Sequence, residues 1–400
     1  MAVQTQKIFW SRDPQMVAAW DEVAHPPTED LIRTLISPNS NCALNKIIHG
    51  QTNEGNLRIL RRFAFTALKR NNHSCRGCNF GIYAQSGQGK TYVVKQFAKT
   101  VGIPFVLVQS TAINDTARLF NMICEEGERS ETPIVAYKPT EKSKADYTLP
   151  PMIIFFDEAH ALPTKMMTGG LLNAMEPEDG HMLVKHGKSG SVLVDCKDVC
   201  WIGATTEKGK LFDAFANRLG TDVEWRSADI TELSLIVKQK MDARAADGEM
   251  PFSMPLDACQ IAAKYRRVPR EAINFGLKMI QQVDMMPRDT WQEAADQVAS
   301  DIGLDKWGFS EKQIAILKAL GQRPIAEPRL ATVARCRIEQ VQRYELPMLM
   351  EYTGGGPLVI SLSGRGMCIT HAGLNELDKR GISHKGEKVT AEYFELRRGK

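Results

Sequence analysis

A glycine-rich segment is the first part of the sequence whose residue types and spacing could do chemistry. Ala84–Thr91 reads AQSGQGKT and matches the pattern G-x-x-x-x-G-K-[ST], except that Ala84 stands at the first position. The two glycines let the backbone curl so that successive N–H groups point at a bound phosphate. Lys90 is placed to reach the β- and γ-phosphates of ATP, and the Thr91 hydroxyl is placed to bind Mg²⁺. The residues predicted to hold ATP here are Gly87, Gln88, Gly89, Lys90 and Thr91.

A pair of adjacent carboxylates completes a hydrolytic set. Asp157 and Glu158 directly follow the apolar run Ile153–Phe156, which is typical of a strand buried in a parallel sheet. Ligands of such sheets bind at the carboxyl ends of the strands, so this edge receives both carboxylates. Asp157 is predicted to hold the hydration shell of Mg²⁺ together with Thr91, and Glu158 to orient and deprotonate the attacking water. Four apolar residues before the pair argue against the alternative, a solvated acidic loop.

The elements that must position these motifs alternate between apolar strands and helical patterns. Predicted strands cover Phe80–Ala84, Phe105–Val108, Ile153–Phe156 and Val199–Gly203, and predicted helices cover Asn56–Asn71, Lys90–Thr100 and Asp115–Cys124. Such alternation predicts βαβ units, and therefore an α/β core with a parallel sheet. The polar stretch Glu125–Pro150 has no period and is predicted to be an exposed insertion. Beyond Trp225 the strands stop, and Asp229 with Glu232 predicts the capping box of a helix reaching Ala246.

The C-terminal residues predict three helices followed by a hairpin. The helices are predicted at Glu311–Leu320, Arg329–Ala334 and Ile338–Glu351, the last interrupted at Pro347, with a hairpin over Leu358–Thr370. This order favours a winged helix, a DNA-binding variant of the helix-turn-helix, and the alternative is a three-helix packing module. Arginines outnumber acids over residues 322–343, which suits contacts with DNA phosphates. The predicted DNA-binding residues are Arg335, Arg337 and Arg365.

Composition bounds the protein class. The chain has 400 residues, 43% hydrophobic and 24% charged, which excludes general disorder and a single small module. Its net charge of +4 does not identify a partner. No apolar run approaches the roughly 18 residues of a membrane span, and the N-terminus lacks a signal peptide. Nine cysteines scattered through a long chain favour a reducing compartment, so we expect a cytoplasmic protein.

The domain plan follows from these patterns. We predict an N-terminal extension over 1–45, a P-loop ATPase core over 46–226 and a helical lid domain over 227–305. A winged-helix domain over 306–382 and a tail over 383–400 complete the prediction.

With these motifs in place, the chain resembles the AAA+ ATPases, and among them the RuvB family of Holliday-junction branch-migration motors. The resemblance covers residues 45–380. Its segments are Ile48–Gln51, Asp157–His160, Asn173–Glu176, Ile202–Thr206, Asn217–Gly220 and Val268–Arg270. The chain departs from the family pattern at Ala84, Ser86 and Ala216, which replace a glycine, a proline and an arginine.

The resemblance implies further site residues. Thr205 corresponds to the first sensor of the γ-phosphate, and Arg218 to the arginine finger that enters a neighbouring subunit's site. Arg270 corresponds to the second sensor, and Ile48 lies in the segment assigned to the nucleotide. The hairpin predicted over 181–194 takes the place of the one that contacts RuvA, so a RuvA-like partner is expected there.

Two classes of function remain open at this point. The resemblance implies an ATP-driven DNA motor that migrates four-way junctions as a hexameric ring in recombination and repair. The alternative is a clamp-loader-like or transposition-type AAA+ protein that is gated by ATP and binds or loads on DNA without translocating. No membrane partner is expected for either class.

Four cysteines suggest a separate metal hypothesis. Cys75 and Cys78 precede the first core strand, and Cys196 and Cys200 begin the strand that carries Thr205. The AAA+ strand order makes these strands neighbours, so four sulfurs could meet around Zn²⁺. The alternative is four ordinary buried cysteines.

Overall fold

The computed structural model describes residues 28–49, 53–70, 74–129, 145–185, 191–350, 357–362 and 366–385. The described chain forms two compact units that divide between Arg226 and Ser227, with Ser86–Gln88 grouped in the second unit. None of the helices among these residues is long and apolar enough to cross a membrane. The remaining domain boundaries, at residues 45, 305 and 382, stay predictions.

A five-stranded parallel sheet organises the first unit. Its strands are β1 (Phe80–Tyr83), β2 (Phe105–Gln109), β4 (Met152–Asp157), β7 (Val199–Thr205) and β8 (Asp222–Glu224), in the order β2-β4-β7-β1-β8. β1 and β7 are buried throughout and β4 is buried up to its last residue, because helices cover both faces of the sheet. The predicted α/β core with a parallel sheet is confirmed.

Helices pack on both faces of this sheet and create two apolar cores. They are α1 (Glu29–Leu35), α2 (Glu54–Lys69), α3 (Lys90–Val101), α4 (Thr116–Arg129), the short α5 (Thr164–Met166) and α6 (Leu172–Ala174), and α7 (Asp213–Leu219). A π-helical turn, Met167–Leu171, joins α5 to α6. The amphipathic pattern predicted at Asn56–Asn71 corresponds to α2, which buries its leucines and alanines.

A small second sheet includes part of the stretch that was predicted to be an exposed insertion. β5 (His181–Lys185) and β6 (Ser191–Asp195) form the expected antiparallel hairpin, with its tip at 186–190 outside the described residues. β3 (Tyr147–Thr148) pairs in parallel with β6, although it lies in Glu125–Pro150, the stretch predicted to be an exposed insertion. Residues 130–144 of that stretch lie outside the described residues. α4 also continues to Arg129. A two-residue strand is too short to show a period, and its pairing partner comes more than forty residues later.

Helices alone build residues 230–301, in the second unit. They are α8 (Ile230–Ala246), α9 (Leu256–Tyr265), α10 (Pro269–Met285) and α11 (Trp291–Asp301), around a single core. The capping box predicted at Asp229 and Glu232 is confirmed by reciprocal bonds of 2.8 and 3.0 Å. α11 was not predicted, although Thr290 and Glu293 form the same signature at its start.

The C-terminal elements follow the predicted order of helices and hairpin. They are α12 (Glu311–Leu320), α13 (Glu327–Val333), α14 (Ile338–Gln340), α15 (Leu346–Met350), β9 (Val359–Leu362), β10 (Gly366–Ile369) and α16 (His371–Asp378). The sequence predicted an interruption of the third helix at Pro347. Instead, a π-helical turn, Val341–Glu345, joins α14 to α15, and α15 contains Pro347. Proline lacks an N–H and clashes with the carbonyl four residues before it, and a π turn relieves both.

A buried arginine joins α16 to the segment before α12. Arg380 donates from Nε to Asp305 at 2.7 Å and from Nη1 to the Glu376 carboxylate at 2.8 Å. Its guanidinium lies 4.5 Å from the ring centres of both Trp307 and Phe309. The Arg380 and Glu376 side chains are 5% and 4% exposed, and they compensate each other's buried charge together with Asp305 and Lys379.

Replacing this arginine should destabilise the second unit. Arg380→Met keeps apolar bulk but leaves the buried Glu376 carboxylate without its main partner, and we expect a loss of about 3 kcal/mol. Lys379→Met serves as the matched control because Lys379 contacts the same carboxylate from a half-exposed position, and we expect a loss below about 1 kcal/mol. Chemical unfolding followed by circular dichroism measures both, and equal losses would contradict the assignment.

The same pair predicts a pH dependence. Burial raises the pKa of Glu376, but the hydrogen bonds and charges of Lys379 and Arg380 outweigh burial and leave it below its ordinary value of 4.5. The stabilising contribution is therefore complete above this ordinary value and is lost as pH falls through the lower folded-state pKa. The stability difference between wild type and Arg380→Met should shrink on acidification below pH 4.5.

Candidate functional site

Three strands bring the predicted motifs to one edge of the main sheet. β7 pairs with β1 and with β4, so Tyr83 stands opposite Thr205 and Phe156 opposite Gly203. The glycine-rich loop leaves the carboxyl end of β1, Asp157 ends β4, and Thr205 ends β7. Their convergence follows from the parallel register, because the carboxyl ends of adjacent parallel strands share an edge.

The loop between β1 and α3 has the backbone of a phosphate site. Gly87 and Gly89 have φ of +82° and +90°, in the left-handed region that favours glycine. Gly89 is the N-cap of the twelve-residue α3 and contributes no side-chain cap. The first N–H groups of α3 can therefore bind an anion. Lys90, 7% exposed, donates from Nζ to the carbonyls of Ala84 at 2.7 Å and Gln85 at 3.3 Å.

The carboxylate pair lies at a sharp turn after β4. Glu158 has φ of +52°, a conformation that costs a non-glycine residue of order 1 kcal/mol. The Glu158 backbone N–H donates to the Asp157 carboxylate at 3.1 Å, which orients that carboxylate at the turn. The Thr91 hydroxyl and the Asp157 carboxylate offer the oxygen ligands that Mg²⁺ prefers, so the residues present fit ATP with Mg²⁺.

Thr205 belongs to a polar cluster that the sequence did not reveal. Its side chain is buried, and Oγ1 lies 2.7 Å from His160 Nδ1 and accepts the Glu207 N–H at 2.9 Å. His160 Nδ1 is also 3.4 Å from Glu158 Oε2. No role was assigned to His160 or Glu207 at the level of sequence. The sequence signals for His160 were its place in the segment Asp157–His160 and its position two residues after Glu158, the carboxylate predicted to orient the attacking water.

Arg218, on α7, is held within its own chain. It donates from Nη2 to Glu176 at 2.6 Å and from Nε to the Leu172 carbonyl at 2.8 Å. Asn79, just before β1, accepts the Trp201 N–H at 2.9 Å and also lies near the Arg218 carbonyl. The structure thus connects Arg218 to the strand bearing Thr205 but does not bring its guanidinium to the phosphate loop.

Ile48 lies partly buried beside the P-loop helix. The preceding 3₁₀ turn packs on α3, where the Leu44 N–H donates to Thr100 at 3.0 Å. The Tyr92 hydroxyl, in the first turn of α3, donates to the Lys46 carbonyl at 3.4 Å, and burial raises the Tyr92 pKa. Gly50 and Gln51 lie outside the described residues.

Arg270 begins the long helix of the second unit. It is exposed near the start of α10, and its backbone N–H donates to the Gly87 carbonyl at 3.3 Å within that unit. A Cβ on Gly87 would approach Val268 to 2.7 Å, so glycine is required there by space as well as by φ.

Two of the predicted DNA-binding arginines are exposed at the turn between α13 and α14. Arg335 has φ of +50°, and Arg337 is the N-cap of α14. Arg323 and Arg329, on the same helical region, are exposed as well. Arg365 lies outside the described residues.

The four-cysteine zinc site does not form. Cys75, Cys78 and Cys200 lie in the core on one face of the sheet, whereas Cys196 lies in the other core beside the β5–β6 hairpin. The Cys200 thiol donates to the Cys78 carbonyl at 3.1 Å, and burial raises the Cys78 pKa to about 11. Across the described ranges, no group of three His, Cys, Asp or Glu side chains is placed to hold a metal ion.

Comparison with known proteins finds similarity to one family of ATPases. The model of the ATPase family associated with various cellular activities, AAA, matches residues 80–227. RuvB of Pseudothermotoga lettingae, a Holliday junction branch migration complex subunit, is 24% identical over 207 residues, covering 50% of this chain and 58% of that protein. Helicobacter pylori RuvB is 25% identical over 189 residues, covering 46% and 54%. The chain thus spans little more than half the length of these relatives.

The fold extends the similarity beyond the matched sequence. The solved structure of the Thermotoga maritima RuvB branch migration motor superposes with a TM-score of 0.57 and 18% identity, covering 82% of this chain and 95% of that chain. A mutant of the same protein gives 0.59 at 17% identity, covering 84% and 97%. The AAA match over residues 80–227 and the RuvB relatives support a divergent RuvB-like AAA+ ATPase, and the solved structures show that the fold is shared.

Proposed function

We propose that the chain hydrolyses ATP in the presence of Mg²⁺ at the carboxyl edge of β1, β4 and β7. The observation that carries this proposal is the convergence of the phosphate loop, the carboxylate pair and Thr205 at that edge. The glycine loop and the N-terminus of α3 bind the phosphates through N–H groups. When ATP binds, Lys90 exchanges its hydrogen bonds to the loop carbonyls for bonds to phosphate oxygens.

The chemistry is positioning and charge stabilisation around a transferring phosphoryl group. Thr91 and Asp157 hold Mg²⁺, which when bound neutralises charge on the phosphates. Glu158 orients a water molecule and accepts its proton. Thr205 donates a hydrogen bond towards the γ-phosphate, Arg270 acts as the second sensor, and Ile48 borders the base.

The chain acts as a ring of identical subunits in this proposal. Arg218 supplies a guanidinium to the site of the next subunit, as the resemblance to the AAA+ family implies. Such head-to-tail contacts close into rings, and the RuvB resemblance implies six subunits. Arg218 is only partly exposed and is held by Glu176. In this proposal, the edge of α7 that carries Arg218 therefore forms the contact with the next subunit.

DNA is the proposed substrate, and the C-terminal region is its binding element. We assign α12 to β10 as a winged helix because the three helices and the antiparallel hairpin occur in that order. Exposed arginines at the turn before α14 suit contacts with the phosphate backbone of any sequence. A motor that moves along DNA needs contacts of this kind. The β5–β6 hairpin is the proposed contact for a RuvA-like partner.

Removing these arginines should weaken DNA binding regardless of sequence. The double change Arg335→Ala with Arg337→Ala should lower affinity about tenfold and flatten the salt dependence by roughly one unit of slope per lost phosphate contact. Arg288→Ala, at an exposed position outside this region, controls for the loss of positive charge. Fluorescence anisotropy on two unrelated duplexes over a salt series measures both. An effect confined to one duplex would contradict contacts with the phosphate backbone. An equal effect in the control would place the DNA site elsewhere.

A synthetic four-way junction tests the whole proposal. With ATP, the purified chain should convert a labelled junction to its branch-migrated duplex products, faster when a RuvA-like protein is added. ADP should give no conversion. ATP-dependent binding without strand exchange would support the loading class instead, and the absence of both ATP hydrolysis and DNA binding would refute the proposal.

A further inference from the structure

One imidazole nitrogen connects two groups of the hydrolytic site. His160 Nδ1 lies 2.7 Å from Thr205 Oγ1 and 3.4 Å from Glu158 Oε2. The contact joins residues 45 positions apart in the chain, one in the turn that follows β4 and the other at the end of β7. Its other nitrogen, Nε2, lies 3.8 Å from the Glu207 carboxylate.

The hydrogen bonds of Thr205 determine what its hydroxyl can do. A hydroxyl has one proton to donate and two lone pairs to accept with. One lone pair is already used, because Oγ1 accepts the Glu207 N–H at 2.9 Å. If His160 Nδ1 carries a proton, Thr205 accepts a hydrogen bond from Nδ1–H and keeps its own O–H for a phosphate oxygen. If Nδ1 lacks a proton, Thr205 must donate to His160 and has none left.

The neighbouring carboxylate decides between these two states. An unprotonated Nδ1 would direct its lone pair at both the Thr205 hydroxyl and the Glu158 carboxylate, and the second approach is repulsive. A proton on Nδ1 instead faces acceptors on both sides. Glu158 Oε2 is a buried atom that makes no hydrogen bond with a described residue, and Nδ1, 3.4 Å away, offers it a donor when it carries a proton.

We propose that His160 is a positioning residue of the hydrolytic site: its Nδ1–H frees the Thr205 hydroxyl to donate to the γ-phosphate and holds the water-orienting carboxylate of Glu158. The inference rests on the proposed ATPase function. It assigns to His160 no contact with the reacting atoms. Its effect reaches the reaction through Thr205 and Glu158, so turnover should depend on the donor at this position more than nucleotide affinity does.

Replacing His160 by asparagine or by aspartate distinguishes a role as hydrogen-bond donor from a role in packing. Both place an atom where His160 carries Nδ1, but asparagine can present an N–H there and aspartate only an oxygen. We expect His160→Asn to keep kcat within about fivefold of wild type, and His160→Asp and His160→Phe to lose about 10²-fold or more, the scale of losing an oriented donor in other sites. KM for ATP should change less than about threefold, because the P-loop residues that bind phosphate are intact. His384→Phe, at a histidine of the second unit that contacts Asp378 and has no part in the proposal, is the control.

The measurements are steady-state ATP hydrolysis, affinity for a fluorescent ATP analogue, and thermal unfolding of each variant. Folded Asp and Phe variants that bind the analogue but turn over slowly, with Asn restored, support the inference. Equal turnover in all three variants, or equal loss in all three, overturns it while leaving the ATPase proposal intact. If Asp and Phe do not fold, wild-type turnover in a folded His160→Ala variant overturns it. A wild type that hydrolyses no ATP refutes the proposed function and this inference together.

Discussion

Glu158→Gln should abolish turnover while leaving ATP bound. Glutamine preserves the shape of the side chain and its turn after β4, but it cannot accept the proton of the attacking water. We expect kcat to fall about 10³-fold, the usual scale for loss of a general base. Lys90, Thr91 and Asp157 keep their places, so affinity for ATP should stay within a few-fold of wild type. Steady-state hydrolysis and equilibrium binding of a fluorescent ATP analogue measure the two quantities.

A second strand-end carboxylate supplies the matched control. Glu224 ends β8 of the same sheet, and its side chain pairs with Lys208 at the surface. Glu224→Gln removes the same charge without touching the proposed water site, and its turnover should equal that of wild type. Hydrolysis at wild-type rates in Glu158→Gln, or comparable losses in both variants, would show that Glu158 is not the base.

The sequence predicts the main sheet well because its signals are local and repeated. Each apolar run is long enough to exclude solvent on both faces, and the glycine loop and the Asp-Glu pair are defined by adjacent residues. Parallel pairing then fixes where their ends lie, so the edge that carries the site follows from the strand order. The capping box at Asp229 is predictable for the same reason.

Contacts between distant segments are not predictable in this way. His160 meets Thr205 because the turn after β4 folds back towards the end of β7, and this turn has no sequence pattern that specifies its direction. The pairing of Arg218 with Glu176 likewise depends on where α6 and α7 lie. Cys196 illustrates the opposite error. It was predicted at the start of the strand that carries Thr205, a neighbour of β1, but it lies in the turn between β6 and β7, with its side chain in the other core.

Arg218 should be essential for turnover but dispensable for nucleotide binding. Its guanidinium is positioned by contacts within its own chain, to Glu176 and the Leu172 carbonyl. It is proposed to act on the phosphoryl group in the neighbouring subunit's site. Arg218→Ala should therefore lower kcat about 10³-fold, as removal of an arginine finger does elsewhere. Arg226→Ala, at an exposed position of the same unit, is the control and should hydrolyse ATP normally.

Mixing two inactive variants distinguishes an action in trans from an action in cis. Lys90→Ala chains lack a phosphate site but keep the finger, and Arg218→Ala chains keep the site but lack the finger. An interface that joins the intact site to the intact finger should hydrolyse ATP, and random one-to-one assembly of head-to-tail interfaces gives about a quarter of such pairs. The mixture should recover up to about that share of wild-type activity, whereas each variant alone stays inactive. Because Arg218 also bonds within its own chain, its loss could instead act by loosening α7, and a defect of that kind cannot be complemented by a neighbour. Absence of recovery at every ratio, in mixtures shown by light scattering to co-assemble, would therefore assign Arg218 to its own subunit's structure and remove it from the catalytic site.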